Sequence, residues 1–497
     1  DFTGADYVTL ENLRLTGGAV AVRIGDNSGS LGVTLRNVTI EQAPGGIYQG
    51  NGATGLLVEN SRILGPVGAG RGIQLWNSGT SPAAPEAASI VNTTFTGWQT
   101  AVYVENAAGV TLRNVTATAG GTGGGVGLST SFTVRLLVEQ SSFTNYFHAI
   151  SAWRTLGTVQ DNTVTGNNGS AYGIVGSGLS TGYFGTAGAA LDYMLRIQNN
   201  RVSGINGTNP VGGGIIVEGG NTLARGNLVW GSQLGLKLFS EGGVIEGNRS
   251  FGNVTGAYVS NGLFFGNQIY GNNAGVVLDN APGARIANNL IYDNVQFGIG
   301  GLRPTTNATG AVVTNNTILQ SGGVAIDIPG GSSGWTLRNN IFALQNARAF
   351  SVSAASQLGF SSDYNLFDLG AGAGIALWGG VPFELLNDWQ LELGFDRNSL
   401  AGNPQFANPA GGDGVRGFAG GVDRGADDDF GLLATSPAID RGDPRSQFWR
   451  EPVFAGRLLE GAPLVTYGNG ARINIGAEGN TRQAQFSPAQ MVQLLSP

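Results

Sequence analysis

Hydrophobic and polar positions in this chain recur with a period of about 25 residues, and each period holds two short apolar alternations separated by polar turns. One half of the period reads polar, Asn-like, variable, apolar, as in "ENSRI", "VNTTF", "QNNRV", "FGNQI", "ANNLI", "TNNTI", "RNNIF" and "DYNLF". Anchored on the second residue, the pattern runs through Asn12, Asn37, Asn60, Asn92, Asn114, Gln140, Asp161, Asn199, Gly226, Gly247, Gly266, Asn288, Asn315, Asn339 and Tyr364. The other half alternates strictly, as in "GIQLWN", "AVYVEN", "GLKLFS", "GVVLDN" and "GIALWG". Ile73 and Leu75, Val102 and Val104, Leu236 and Leu238, and Val276 and Leu278 therefore share one side of their strands. Helical periodicity is nearly absent before residue 380.

A period near 25 fits both leucine-rich repeats and β-helix coils, and the position after the anchor separates them. Asn162, Asn200, Asn227, Asn248, Asn267, Asn289, Asn316, Asn340 and Asn365 fill it in nine successive repeats, with no leucine consensus around them. An amide side chain donates and accepts, and stacked coils lie about 4.8 Å apart, so buried asparagines can bond up and down a continuous ladder. The expected fold is an all-β, right-handed parallel β-helix, a solenoid of about 15 coils over residues 1–380 with a C-terminal capping segment. Residues 381–482 read as that cap and 483–497 as the start of a linker to a further module. Two segments lengthen single coils, Asn77 to Ser89 and Gly178 to Tyr193, and such insertions gather on one face of a solenoid.

Composition narrows the classes. The 497 residues include 85 glycines and only 12% charged residues, which suits neither a disordered chain nor a membrane protein, and no apolar run is long enough to span a bilayer. A net charge of -7 argues against a nucleic-acid groove, and the absence of cysteine removes disulfides and thiolate chemistry. The chain opens at Asp1 within what reads as a strand and stops at "MVQLLSP", so both ends look cut from something longer.

The repeat resembles the pectate-lyase-like right-handed β-helix superfamily, which includes pectate lyases, polygalacturonases, mannuronan epimerases and many surface proteins. The tail segments "DYNLF", "NPQF", "DDDFGLLATSPAIDRGDP" and "NGARINIGAEGNT" resemble the closing segment of large exported bacterial β-helix proteins. That likeness implies an extracellular or cell-surface location, a structural or adhesive role, and polysaccharide, other surface proteins or further copies of the chain as partners. The superfamily also implies an alternative, a polysaccharide lyase or glycoside hydrolase with a non-standard site, because the Gly-His-Gly and Asp-Pro-His-Glu motifs of its enzymes are missing.

Candidate chemistry is sparse. Lys237 is the only lysine and His148 the only histidine; each is a candidate catalytic base, and each also reads as an ordinary structural residue. Lys237 alternates with inward leucines and so is expected outward and solvated. Outward positions near the ends of the alternating strands read Trp76, Glu105, Ser129, Trp153, Glu218, Phe239, Ser260, Asp279 and Trp378, with Tyr48 and Tyr103 one row away. Aromatic faces suit sugar rings, so Trp76, Tyr103, Glu105, Trp153 and Glu218 are candidate carbohydrate contacts, or else parts of secondary cores under loops. Asp413, Asp423, Asp427, Asp428 and Asp429 lie among glycines, as ligands for calcium or as a solvated loop. Asn37 and Asn92 open glycosylation sequons that coincide with the repeat motif, and burial there would block modification.

Overall fold

The structure is a computed structural model that describes residues 1–25, 29–78, 83–121, 124–179, 194–207, 212–301, 307–446, 472–479, 481 and 483–484. Most of the long insertion (180–193), part of the first (79–82) and the final 485–497 lie outside the described residues. The chain divides into two compact units, Asp1–Arg249 and Ser250–Pro497. Both are right-handed parallel β-solenoid, with about 14 turns in all.

A coil of the first unit has three strands, Thr34–Arg36, Thr39–Glu41 and Gly45–Gln49. Each pairs in parallel with its equivalent in the next coil, which places Leu35 opposite Val58, Ile40 opposite Ile63 and Ile47 opposite Ile73. These residues are buried, so a one-residue slip would turn the apolar set outward. The alternating pairs Ile73 and Leu75, Val102 and Val104, and Leu236 and Leu238 are buried in the same way.

The corner between the first two strands is where the repeat motif acts. Its anchor residue takes a left-handed backbone, with φ of 53° at Asn37, 52° at Asn60 and 49° at Asn92. Asparagine tolerates that conformation better than other side chains except glycine, which replaces it at Gly226 and Gly247. The anchors Asn37 and Asn92 are exposed, which corrects the expectation of buried sequons, since the buried position is the one after the anchor.

That next position carries hydrogen-bonded runs of asparagine. In the first unit Asn162 Nδ2 donates to Asn200 Oδ1 at 3.0 Å, Asn200 to Asn227 at 3.0 Å and Asn227 to Asn248 at 2.8 Å. Each acceptor oxygen also takes the backbone N–H of the preceding asparagine. Earlier coils substitute a hydroxyl: Ser141 Oγ accepts from the Val115 N–H, and the Ser141 N–H donates to Asn162 Oδ1. In the second unit the run is Asn267, Asn289, Asn316, Asn340 and Asn365. It terminates on Ser399, whose Oγ accepts from the Asn365 N–H at 2.8 Å, and on Asp396, which accepts from Asn365 Nδ2 and from Trp389 Nε1, each at 2.9 Å. Burial pushes the Asp396 carboxyl above its ordinary pKa, while these hydrogen bonds oppose the shift.

Residues from 381 onward belong to the second unit. One short helix, Leu386–Leu393, buries Trp389 among Phe350, Phe360, Trp378 and Phe395. Trp378 therefore faces the interior rather than the outward row expected of it; Ala376, opposite the buried Phe350, fixes the inward parity of that strand. The later tail runs along the flank of the coils. Asn288 and Asn315, both corner anchors, donate to the carbonyls of Ala477 and Asn474 at 3.0 and 3.2 Å. Ile439 and Ile475 join Ile341 and Leu366 in a buried cluster, and Arg338 pairs with Asp443 at 2.8 Å. Gly476, at φ 100°, sits so close that a Cβ would lie 2.5 Å from Ile341 Cδ1.

Replacing Asn316 by Leu leaves the Asn289 N–H and the Ile286 carbonyl without their buried partners. A loss of ~1 to 3 kcal/mol is expected in chemical denaturation, larger than for an exposed anchor such as Asn37→Leu. Glu478 supplies a second test: burial, and then the Asp429 carboxylate, push its pKa up to about 7. A carboxyl raised in the fold contributes stability in full below its ordinary pKa of ~4.5 and loses it as pH climbs through the folded value. Hydrogen exchange over 472–479, corrected for intrinsic rates, is expected to quicken from ~pH 4.5 to about pH 7 and to level off above it. Glu478→Gln should abolish that change, and an identical profile in the variant would dismiss the carboxyl as its source.

Candidate functional site

In the middle of the first unit the strands Arg62–Trp76, Thr94–Glu105, Val126–Ser131 and His148–Trp153 each end in an outward residue immediately before a left-handed corner. Parallel pairing sets Trp76 opposite Glu105, Glu105 opposite Ser131 and Ser131 opposite Trp153. Backbone bonds from Ser177 to Ala152, Glu218 to Gly176 and Phe239 to Val217 carry the same row onward. The row thus reads Trp76, Glu105, Ser131, Trp153, Ser177, Glu218, Phe239, with Ser177 buried between its neighbours. Ser129 belongs instead to the neighbouring row with Tyr103 and Ser151, because Thr130 is the buried, inward residue of its strand.

The expected carbohydrate contacts are therefore split between two adjacent rows of one face. Trp76, Tyr103 and Glu105 are half-buried, Glu218 is exposed, and Trp153 and Phe239 keep 45% and 47% of their surface open to solvent. Tyr103 is held on both sides: the Arg71 guanidinium lies 3.7 Å from its ring centroid and its hydroxyl donates to Glu105. Burial and the Glu105 carboxylate raise the Tyr103 pKa, against a smaller opposing effect of Arg71.

Lys237 departs from expectation. It points outward in parity, opposite Ile216, yet is only 3% exposed, which corrects the reading of a solvated lysine. Its Nζ lies 4.5 Å from the Phe239 ring centroid, and burial lowers its pKa despite the nearby Glu218 carboxylate. An ammonium so covered meets no substrate directly, whereas a general base must reach the proton it removes. His148 is half-buried against Tyr172, ring centroids 4.1 Å apart and nearly parallel, with Phe147 at 5.0 Å. Burial lowers its pKa, and the stacked ring fills a surface cluster.

The five aspartates in the second unit do not converge on one point. Asp423 accepts from the Tyr270 hydroxyl at 2.7 Å and Asp428 from the Tyr292 hydroxyl at 2.9 Å. Asp413 pairs with Arg424, Asp427 accepts from the Gly412 N–H, and Asp429 from the Gly431 N–H. Among the described residues no group of three or more His, Asp or Glu side chains is placed to hold a metal ion. The acidic loop instead docks on the stacked rings Phe251, Tyr270 and Tyr292, with Phe418 against Phe251. Sequence reasoning also missed a second amide run in this unit, Asn253, Asn272, Asn294 and Gln320. Its signal was present, an amide side chain four or five residues after Asn248, Asn267, Asn289 and Asn316.

The family described as "Right handed beta helix region" matches residues 71–249 and 195–389, more than half of the chain. The chain belongs to that family. No curated protein matches it significantly. Solved structures similar to this β-helix chain include the A-module of a mannuronan C-5 epimerase from Azotobacter vinelandii, at 13% identity and a TM-score of 0.37, covering 69% of this chain and 91% of that one. A tailspike protein of Escherichia coli bacteriophage HK620, in complex with a pentasaccharide, aligns at 11% identity and a TM-score of 0.32 over 74% of this chain and 70% of the other. A pectate lyase aligns at 14% identity and a TM-score of 0.26 over 94% and 87%. Likenesses of this size carry nothing about a site in the β-helix.

The buried lysine offers a clean test. Its depressed pKa means that protonating it costs the fold free energy, in full below the folded value and not at all above the ordinary value of ~10.4. Lys237→Met is expected to raise Tm near neutral pH, with the gain shrinking as pH approaches that value. A lower Tm at neutral pH would show instead that attraction to Glu218 outweighs desolvation.

Proposed function

We propose that this chain is the β-helix region of a larger extracellular or cell-surface bacterial protein, structural or adhesive in role, that contacts polysaccharide along the outward row of its first unit. The observation that carries the reading is Trp153, nearly half exposed on a rigid paired strand and in register with Glu105 and Trp76. An indole left in water on a sheet that cannot rearrange to bury it is unfavourable unless a flat apolar partner covers it, and the faces of sugar rings supply one. The neighbouring hydroxyl and carboxylate side chains, Ser131 and Glu105, suit sugar hydroxyl groups. The tail's likeness to closing segments of exported bacterial proteins supports the location.

A lyase or hydrolase reading has less to stand on, because Lys237 is covered and His148 is stacked. The test is a glycan array probed with wild type and the Trp76→Ala, Trp153→Ala double variant, with and without calcium and chelator. Binding by wild type that drops at least several-fold in the variant is expected. Equal binding by both, or none by either in any buffer, overturns the reading, and turnover of a bound polysaccharide that fails in Lys237→Ala would replace it with the enzymatic one.

A further inference from the structure

The outward row has a period of its own. Trp76, Trp153 and Phe239 occupy equivalent positions every third coil, separated by Glu105 and Ser131 on one side and by Ser177 and Glu218 on the other. Parallel strands stack about 4.8 Å apart, so three steps put successive rings about 14 Å apart, roughly the span of three sugar rings in an extended chain.

Each ring is held in place by its coil. The residues after Trp76 and Trp153, Asn77 and Arg154, take left-handed corners at φ 51° and 45°, which fix where the preceding side chain leaves the strand. Phe239 is oriented by the Lys237 ammonium against one side of its ring. Glu105 accepts from the Tyr103 hydroxyl, whose ring lies under Arg71, and Glu218 lies beside Lys237. The row therefore presents three aromatic platforms separated by Glu105, Ser131, the buried Ser177 and Glu218, with the cations Arg71 and Lys237 held on rings of the same face, a mixture of signs that favours an uncharged ligand over a charged one.

We infer that the row is a three-platform binding track for a neutral, extended polysaccharide lying along the stacking direction, with an aromatic platform under every third sugar. This deepens the proposed function and rests on it. Two platforms are bridged by a chain of four sugars and three by a chain of seven, so affinity rises in steps rather than smoothly.

The experiment is calorimetric titration of the full chain with neutral oligosaccharides of two to eight sugars from β-linked glucan, mannan, xylan and chitin series. With at least one series, affinity is expected to rise about five-fold or more between three and four sugars and again between six and seven, each step adding one stacked ring. Trp153→Ala should erase the step at four and keep that at seven, while Trp153→Phe retains both; circular dichroism confirms that each variant is folded. A smooth rise with length, or a step at four that survives Trp153→Ala, overturns the three-coil track and leaves polysaccharide contact standing. No binding by wild type in any series overturns both.

Discussion

A coil that turns a corner toward its own interior must bury backbone N–H groups there, and in a stack of coils only the coils above and below can satisfy them. The rest of this protein follows from that constraint. Asparagine meets it because one side chain supplies an acceptor for its neighbour's N–H and donors for the next amide and carbonyl. Asn200 does all of this, donating to the Asn227 oxygen and to the Val159 and Gln198 carbonyls while its own oxygen takes the Asn162 amide. A serine can terminate such a run but cannot extend it, since a hydroxyl has one proton to give. That is why Ser141 and Ser399 stand at the ends.

This corner chemistry made most of the fold legible in the sequence. Its signal is a residue type at fixed spacing, repeated because every coil meets the same problem, and the alternation of apolar residues in the third strands adds register. The outward rows were read less well for a physical reason. Thr130 is a polar residue in an inward place, where its hydroxyl bonds that of Thr155 at 2.9 Å, so hydrophobicity alone assigned the wrong parity and moved Ser129 into the row that Ser131 occupies. At Trp378 the same kind of slip runs the other way: Ala376 and Trp378, opposite the buried Phe350 and Val352, are the inward residues of a strand whose Ile375 and Leu377 had looked inward.

The tail was opaque for a different reason: its partners are distant in sequence. Nothing local announces that Asn288 and Asn315 bind the 474–477 backbone, or that Asp423 and Asp428 meet the phenols of Tyr270 and Tyr292. An acidic, glycine-rich loop has the composition of a cation site and of a docking strap alike. In this fold Asp413, Asp423, Asp427, Asp428 and Asp429 each accept from a different donor. Charge alone said that Lys237 should be wet, whereas it is buried with its ammonium against the ring of Phe239, two residues on.

The same stacking gives the outer face its functional character. Side chains placed before left-handed corners cannot drift along the sheet without breaking pairings on two neighbouring coils, so Trp76 and Trp153 are held at fixed intervals before any ligand arrives. Stacking on a single sugar is weak, and a flexible loop would forfeit much of it in ordering the ring. A row of rings already ordered by the solenoid loses little on binding, and several weak contacts on one chain then act together. On the proposed reading, the rigidity required to satisfy buried corners is therefore also what lets a sparse set of aromatic residues read the spacing of an extended polymer.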